Sequence, residues 1–159
     1  MSSVNDTYTK LCDHARETAL LESIESVLGW DERTYMPIAA GEYRAEQITY
    51  LSGQVHKRRT DPRLKDWLEQ LADSELARDP HSDTATTIRE LRRNYDKQSR
   101  LPQKLVEELT RAAVLGQQVW VEARKNNSFA AFEPTLQRMF QLQRQKADAH
   151  RTPESPDRS

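Results

Sequence analysis

The sequence predicts an all-α protein of about six helices arranged as long antiparallel helical hairpins, and three observations carry that expectation. Apolar residues recur at spacings of three and four in segment after segment, and no segment sustains the alternation of a half-buried strand. The breaks between periodic runs hold proline, asparagine and cap-forming side chains. With 159 residues, 36% hydrophobic and 31% charged, the chain can build one ordinary domain with a modest core, expected over 1–149.

The first helix is expected to start after Asp6 as N-cap and to carry Tyr8, Leu11, Ala15, Leu20, Ile24, Val27 and Leu28 on a broad apolar face. It ends near Tyr35, because Pro37 disfavours helical geometry at Met36. Its length is about 40 Å at 1.5 Å per residue. The second runs from Gly41 to Arg59 with Ala45, Ile48, Leu51 and Val55 inward. Thr60 or Asp61 then caps a third, with Pro62 in the first turn and Leu64, Trp67, Leu68 and Leu71 on its apolar side. Asp79 and Pro80 repeat the cap-then-proline pattern and predict the start of a fourth helix that buries Ile88, Leu91 and Tyr95.

After "SRLPQKL", the stripe Leu105, Leu109, Ala112, Gly116, Val119, Trp120 and Ala123 marks a fifth helix. Ala112, Ala113 and Gly116 thin that stripe, which predicts close approach of a neighbouring helix. "NNS" at 126–128 offers a left-handed stop and Ser128 as N-cap of a sixth, carrying Phe129, Phe132, Leu136, Met139 and Phe140. The segment "HRTPESPDRS", with two prolines and no large apolar side chain, predicts a disordered tail over 150–159.

Several chemistries are disfavoured by what the chain lacks. Lys plus Arg number 24 and Asp plus Glu 25, so no general electrostatic pull draws it to nucleic acid or an anionic membrane. The four glycines form neither a G-x-G-x-x-G nor a G-x-x-x-x-G-K pattern. Cys12 is the one cysteine, and its place on the apolar side of the first helix reads as inert packing rather than a nucleophile. No apolar signal-peptide core and no membrane-length apolar run occur, which predicts a cytoplasmic protein. His14, His56, His81 and His150 make no H-E-x-x-H pair and read as surface residues, so no metal is expected in this chain. Carboxylate pairs such as Glu22 with Glu25 and Asp31 with Glu32 could serve acid and base chemistry, but chance spacing on a solvated face explains them better. The same holds for the basic runs "HKRR" and "RELRR", each close to compensating acids.

Four blocks in register carry a resemblance: "LGWDERTYMP" with "GEYRAEQITYLSGQVHKRRTDP", then "IRELRRNYDKQSRLPQKLVEEL", then "QQVWVEARKNNSFAAFEPTLQRM". Over residues 8–148 the chain resembles the N-terminal part of zinc metallocarboxypeptidases of the carboxypeptidase Taq type. The resemblance implies helices that form one wall and the lid of a deep cleft. It also implies a family activity, release of C-terminal residues from peptides. That activity uses zinc or another divalent metal held by H-E-x-x-H and a downstream Glu, with the motif Glu as general base. None of those positions occurs in this chain, so no catalytic, cofactor-binding or metal residue is carried over, and the chain alone is expected to be inactive. Trp30, Asp31, Tyr35, Met36 and Arg44 are expected at the first helical corner, with a buried Trp30 beside an ion pair from Arg44 to Asp31, or with Arg44 capping carbonyls. Arg92 and Tyr95, with Arg93, Asp96 and Arg100, are expected in one polar network, and Trp120 and Arg124 as anchors of the fifth helix on the sixth. Each set is either structural or lines the cleft. The expectation is a truncated N-terminal fragment, from a gene cut short or a small relative. Its partners would be a peptide, a complementary C-terminal peptidase half acting in trans, or a second copy covering exposed apolar faces.

Overall fold

The computed structural model describes residues 3–151. Among the described residues there are six α-helices and no strand: α1 Val4–Thr34, α2 Gly41–Arg59, α3 Pro62–Ala72, α4 Asp83–Gln98, α5 Gln103–Lys125 and α6 Phe129–His150. Short 3-10 turns at Ile38–Ala40 and Glu75–Ala77 interrupt the connections. Of the tail expected over 150–159, His150 instead closes α6, and 152–159 lie outside the described residues.

Local chemistry sets the helix ends. Asp6 is not the N-cap of α1. The Ser3 hydroxyl accepts from the Asp6 amide and the Asp6 carboxylate accepts from the Ser3 amide, both at 3.1 Å, a reciprocal box that starts the helix earlier. Those bonds hold the Asp6 carboxyl below its ordinary range. Asp61 caps α3 by accepting from the Arg63 amide at 2.9 Å, with Pro62 following. The analogous pair Asp79 and Pro80 does not start α4. Asp79 accepts from the His81 amide and forms its own turn, while Ser82 caps Ala85 at 3.2 Å. Asn127 has φ 49°, the left-handed conformation that "NNS" predicts between α5 and α6.

The chain divides into two compact units, Met1–Ile24 with Gln54–Ser99 and Glu25–Gly53 with Arg100–Ser159. In the first, Leu11, Leu64, Leu68, Leu71 and Ile88 form the core, with Trp67, Leu91 and Tyr95 packed against it. His14 and His56 are buried there, not on the surface. The ring Nε2 of His14 lies 2.9 Å from the Arg58 carbonyl oxygen, and its edge meets the Trp67 ring with centroids 6.0 Å apart. Arg58 in turn donates to Glu17 at 2.6 Å and Thr18 at 3.1 Å, and Arg59 pairs with Glu22 at 2.7 Å. "HKRR" is therefore a half-buried bonding face of α2 and not simply a solvated one. Cys12 is half-buried, short of the full burial expected.

In the second unit, Ala45, Ile48 and Val114 form one small core and Leu101, Leu105 and Leu142 another. α5 and α6 make an antiparallel hairpin, because partners late in one helix meet partners early in the other. Leu105 packs with Leu142, Glu108 accepts from Arg138 at 2.7 Å, and Gly116 faces Thr135 and Met139. A Cβ at Gly116 would stand 3.3 Å from Met139 Sδ and Thr135 Cγ2, so the thin stripe does mark a close helix approach. No described helix is long and apolar enough to cross a membrane. The expected apolar face of α1 is covered only in part: Leu11 is buried, while Leu20, Ile24 and Val27 are exposed.

Candidate functional site

The corner between α1 and α2 lies in the second unit. Its turn follows from Pro37, which cannot donate, and from the Asp31 carbonyl, which accepts from both the Tyr35 and Met36 amides at 3.0 Å. Asp31 also supplies its side chain. Arg44 reaches back from α2 to place Nη2 2.7 Å from Asp31 Oδ2, Nη1 2.7 Å from the Leu28 carbonyl and Nε 3.0 Å from Gln47 Oε1. Both expected roles of Arg44, ion pair and carbonyl cap, are met by one guanidinium whose side chain is 14% exposed.

The aromatic part of the corner points elsewhere. Trp30 is 58% exposed and Tyr35 77% exposed, with ring centroids 5.6 Å apart. The expectation of a buried Trp30 fails, because the helix face that carries Asp31 and Leu28 toward α2 leaves Trp30 outside. Met36 is half-buried and Ile38 fully exposed. Glu32, one residue past Asp31, has a buried Oε1 with no hydrogen-bond partner among the described residues, and burial pushes its carboxyl above the ordinary glutamate range against the pull of Arg33 and Arg44.

Glu32 and Arg33 line a cavity of about 450 Å³ whose other walls include Gly116, Trp120, Phe132 and Met139. A second cavity of about 170 Å³ shares Trp120 and Phe132 with it and is also lined by Arg124 and Phe129. The two form one groove along α5 and α6. Trp120 and Arg124, the expected anchors, are exposed side chains on the groove wall beside Phe129 and Phe132 of α6, and the hairpin has further contacts at Leu105, Glu108 and Gly116.

Of the predicted residues, the structure brings Trp30, Asp31, Tyr35, Met36 and Arg44 together at the corner. Arg92 and Tyr95 belong to the first unit, where Tyr95 packs on the core and lines a cavity of about 200 Å³ with His14 and Arg58. The single polar network expected around them is absent among the described residues. Arg93 bonds Glu90 at 3.5 Å, and Arg100 bonds the His150 carbonyl at 3.3 Å. What the sequence reading missed is Glu32 in the groove and the His14, Thr18 and Arg58 cluster. The available signal was Thr18 one turn after His14, facing a basic run in the next helix.

A divalent metal does not fit the described residues. They bring together no group of three or more His, Cys, Asp or Glu side chains able to hold one.

The sequence model of the carboxypeptidase Taq (M32) metallopeptidase family matches residues 10–157. Thermostable carboxypeptidase 1 of Thermus thermophilus is 38% identical over 141 residues, which span 89% of this chain and 28% of that protein. Carboxypeptidase 1 of Bacillus subtilis is 26% identical over 117 residues, 74% of this chain and 23% of that protein. Among solved structures, the BsuCP crystal structure superimposes with TM-score 0.85 at 22% identity, covering 94% of this chain and 30% of that one. The chain thus spans less than a third of the length of these relatives.

Proposed function

The chain belongs to the carboxypeptidase Taq (M32) metallopeptidase family, and from that premise we propose that it supplies the N-terminal helical wall of a metal-dependent carboxypeptidase site. The observation that carries this reading is a match along most of the chain to 28% of a thermostable carboxypeptidase, joined to described residues that assemble no metal-ligand group. In this reading the zinc ligands and general base come from other residues, on the same polypeptide or on a second one that completes the site in trans. The exposed Trp30 and Tyr35 at the corner are then surface for the cleft or for the completing part. A second reading, a helical module that binds peptides or proteins, is favoured by the groove along α5 and α6. The proposed setting is the cytoplasm, with self-association through exposed apolar side chains and no nucleic-acid or membrane partner.

A chimera tests the first reading. The matching 141 residues of the Thermus thermophilus protein are replaced by those of this chain, and metal-dependent release of C-terminal residues from a blocked peptide is measured. Activity that a chelator abolishes is expected from the chimera, and none from the chain alone. A folded chimera without activity would overturn the wall reading, and chelator-sensitive release by the isolated chain would overturn its inactivity.

A further inference from the structure

The exposed apolar side chains are not spread evenly. Of the thirteen large ones among the described residues, Leu20 and Ile24 lie in the first unit and the other eleven, Trp120, Phe129 and Phe140 among them, lie in the second. A soluble surface seldom keeps such a concentration without a partner. The groove that α5 and α6 form in that unit has a helix-sized form. It follows α5 from Ala113 to Arg124, about 16 Å at 1.5 Å per residue, or three turns of a docked helix. On the α5 side it is lined by the exposed Ala113 and Trp120, while Gly116 is already closed by Thr135 and Met139 of α6 and Phe132 and Met139 form the facing wall. Glu32 lies in this seat with Arg33 and Gln117 also on its lining, and its buried Oε1 has no hydrogen-bond donor among the described residues. A buried acceptor of that kind calls for a donor from outside.

The length comparison indicates what that outside is. Relatives built around the same helices carry more than twice as much additional chain, since this sequence covers 28% of one and 30% of another. We propose that the groove lined by Trp120, Phe132, Met139 and Glu32 is the seat of a helix from that remaining part of the family fold, whichever polypeptide bears it. The seated helix sets large apolar side chains against Trp120 and Phe132 and gives one Lys, Arg or amide donor to Glu32. This rests on the wall reading but is narrower, since it names the surface.

Thiol labelling tests it in a Cys12→Ser background. Ala113→Cys places a thiol in the groove, and Leu20→Cys places one on the exposed face of the first unit. The groove thiol is expected to react at least tenfold more slowly in the Thermus chimera than in the isolated chain, while the Leu20→Cys rate stays within twofold. As a second measurement, Trp120→Asp should lower the melting midpoint of the chimera by several degrees more than that of the isolated chain, where Trp120 is already 44% exposed. An active chimera whose groove thiol labels as fast as in the isolated chain would sink this inference and leave the wall reading standing. Protection in the isolated chain that grows with its concentration would also overturn it, by assigning the groove to a second copy. If the chimera does not fold, the remaining Thermus segment is added in trans, and failure to protect Ala113→Cys at saturation counts against the proposal.

Discussion

Replacing Arg44 with methionine isolates what holds the α1 to α2 corner, because methionine keeps most of the stem volume and removes the guanidinium. Three bonds are lost, to Asp31 Oδ2, to the Leu28 carbonyl and to Gln47 Oε1. Charged hydrogen bonds are worth roughly 1.5–3 kcal/mol each when buried. The Arg44 side chain is 14% exposed, but Asp31 is 34% exposed, so water recovers part of the carboxylate's solvation. A net loss of about 3 kcal/mol follows, which for a chain of this size lowers the melting midpoint by roughly 6–12 °C. Urea and thermal unfolding followed by circular dichroism at 222 nm measure it. A double-mutant cycle with Asp31→Asn should return a coupling of about 1 kcal/mol. Trp30→Ala is the contrasting control: at 58% exposure it should cost less than about 1 kcal/mol. A loss below about 0.5 kcal/mol for Arg44→Met, or a larger loss for Trp30→Ala, would refute the assignment of corner stability to the guanidinium.

In the first unit, Leu68→Ala removes a side chain that is 1% exposed and should cost about 3 kcal/mol, whereas Leu20→Ala, at 65% exposure, should leave the urea midpoint nearly unchanged. Glu32→Gln should stabilise the isolated chain at pH 7, because burial raises the Glu32 pKa and the folded state holds its proton more tightly than the unfolded one. Stability from this group is full below the unfolded glutamate value of about 4.3 and falls as pH rises through the folded pKa. The gain from Gln should therefore vanish in urea titrations near pH 4, and an equal gain at both pH values would contradict the cause.

How much of this was legible in the sequence depended on the range of the interaction. Gly41 to Arg59 was readable as a helix, the Asp61 and Pro62 start was readable as a cap, and the Asn127 stop was readable because each is decided within a few residues. Asp79 and Pro80 misled because the same local pair can close an independent turn, and Ser82 three residues on could cap equally well. Burial of His14 was not readable: its partner Arg58 is 44 positions away. Apolar spacing showed which side of α1 is greasy but not what covers it, and Val27 is left exposed.

The corner shows why a recognisable stretch can still be misread for function. "WDERTYMP" holds two jobs on alternate sides of one helical turn. Asp31 faces Arg44 and accepts its guanidinium, while Trp30 and Tyr35 face out. Helical geometry forces this split, since neighbouring residues point about 100° apart. A buried tryptophan would have made the whole stretch structural; its exposure separates the parts. Substitutions at Asp31 and Arg44 should thus report on folding, and substitutions at Trp30 and Tyr35 on whatever docks there. Activity in the chimera divides the two cleanly, because loss from Trp30→Ala without loss of melting temperature can only be a surface effect.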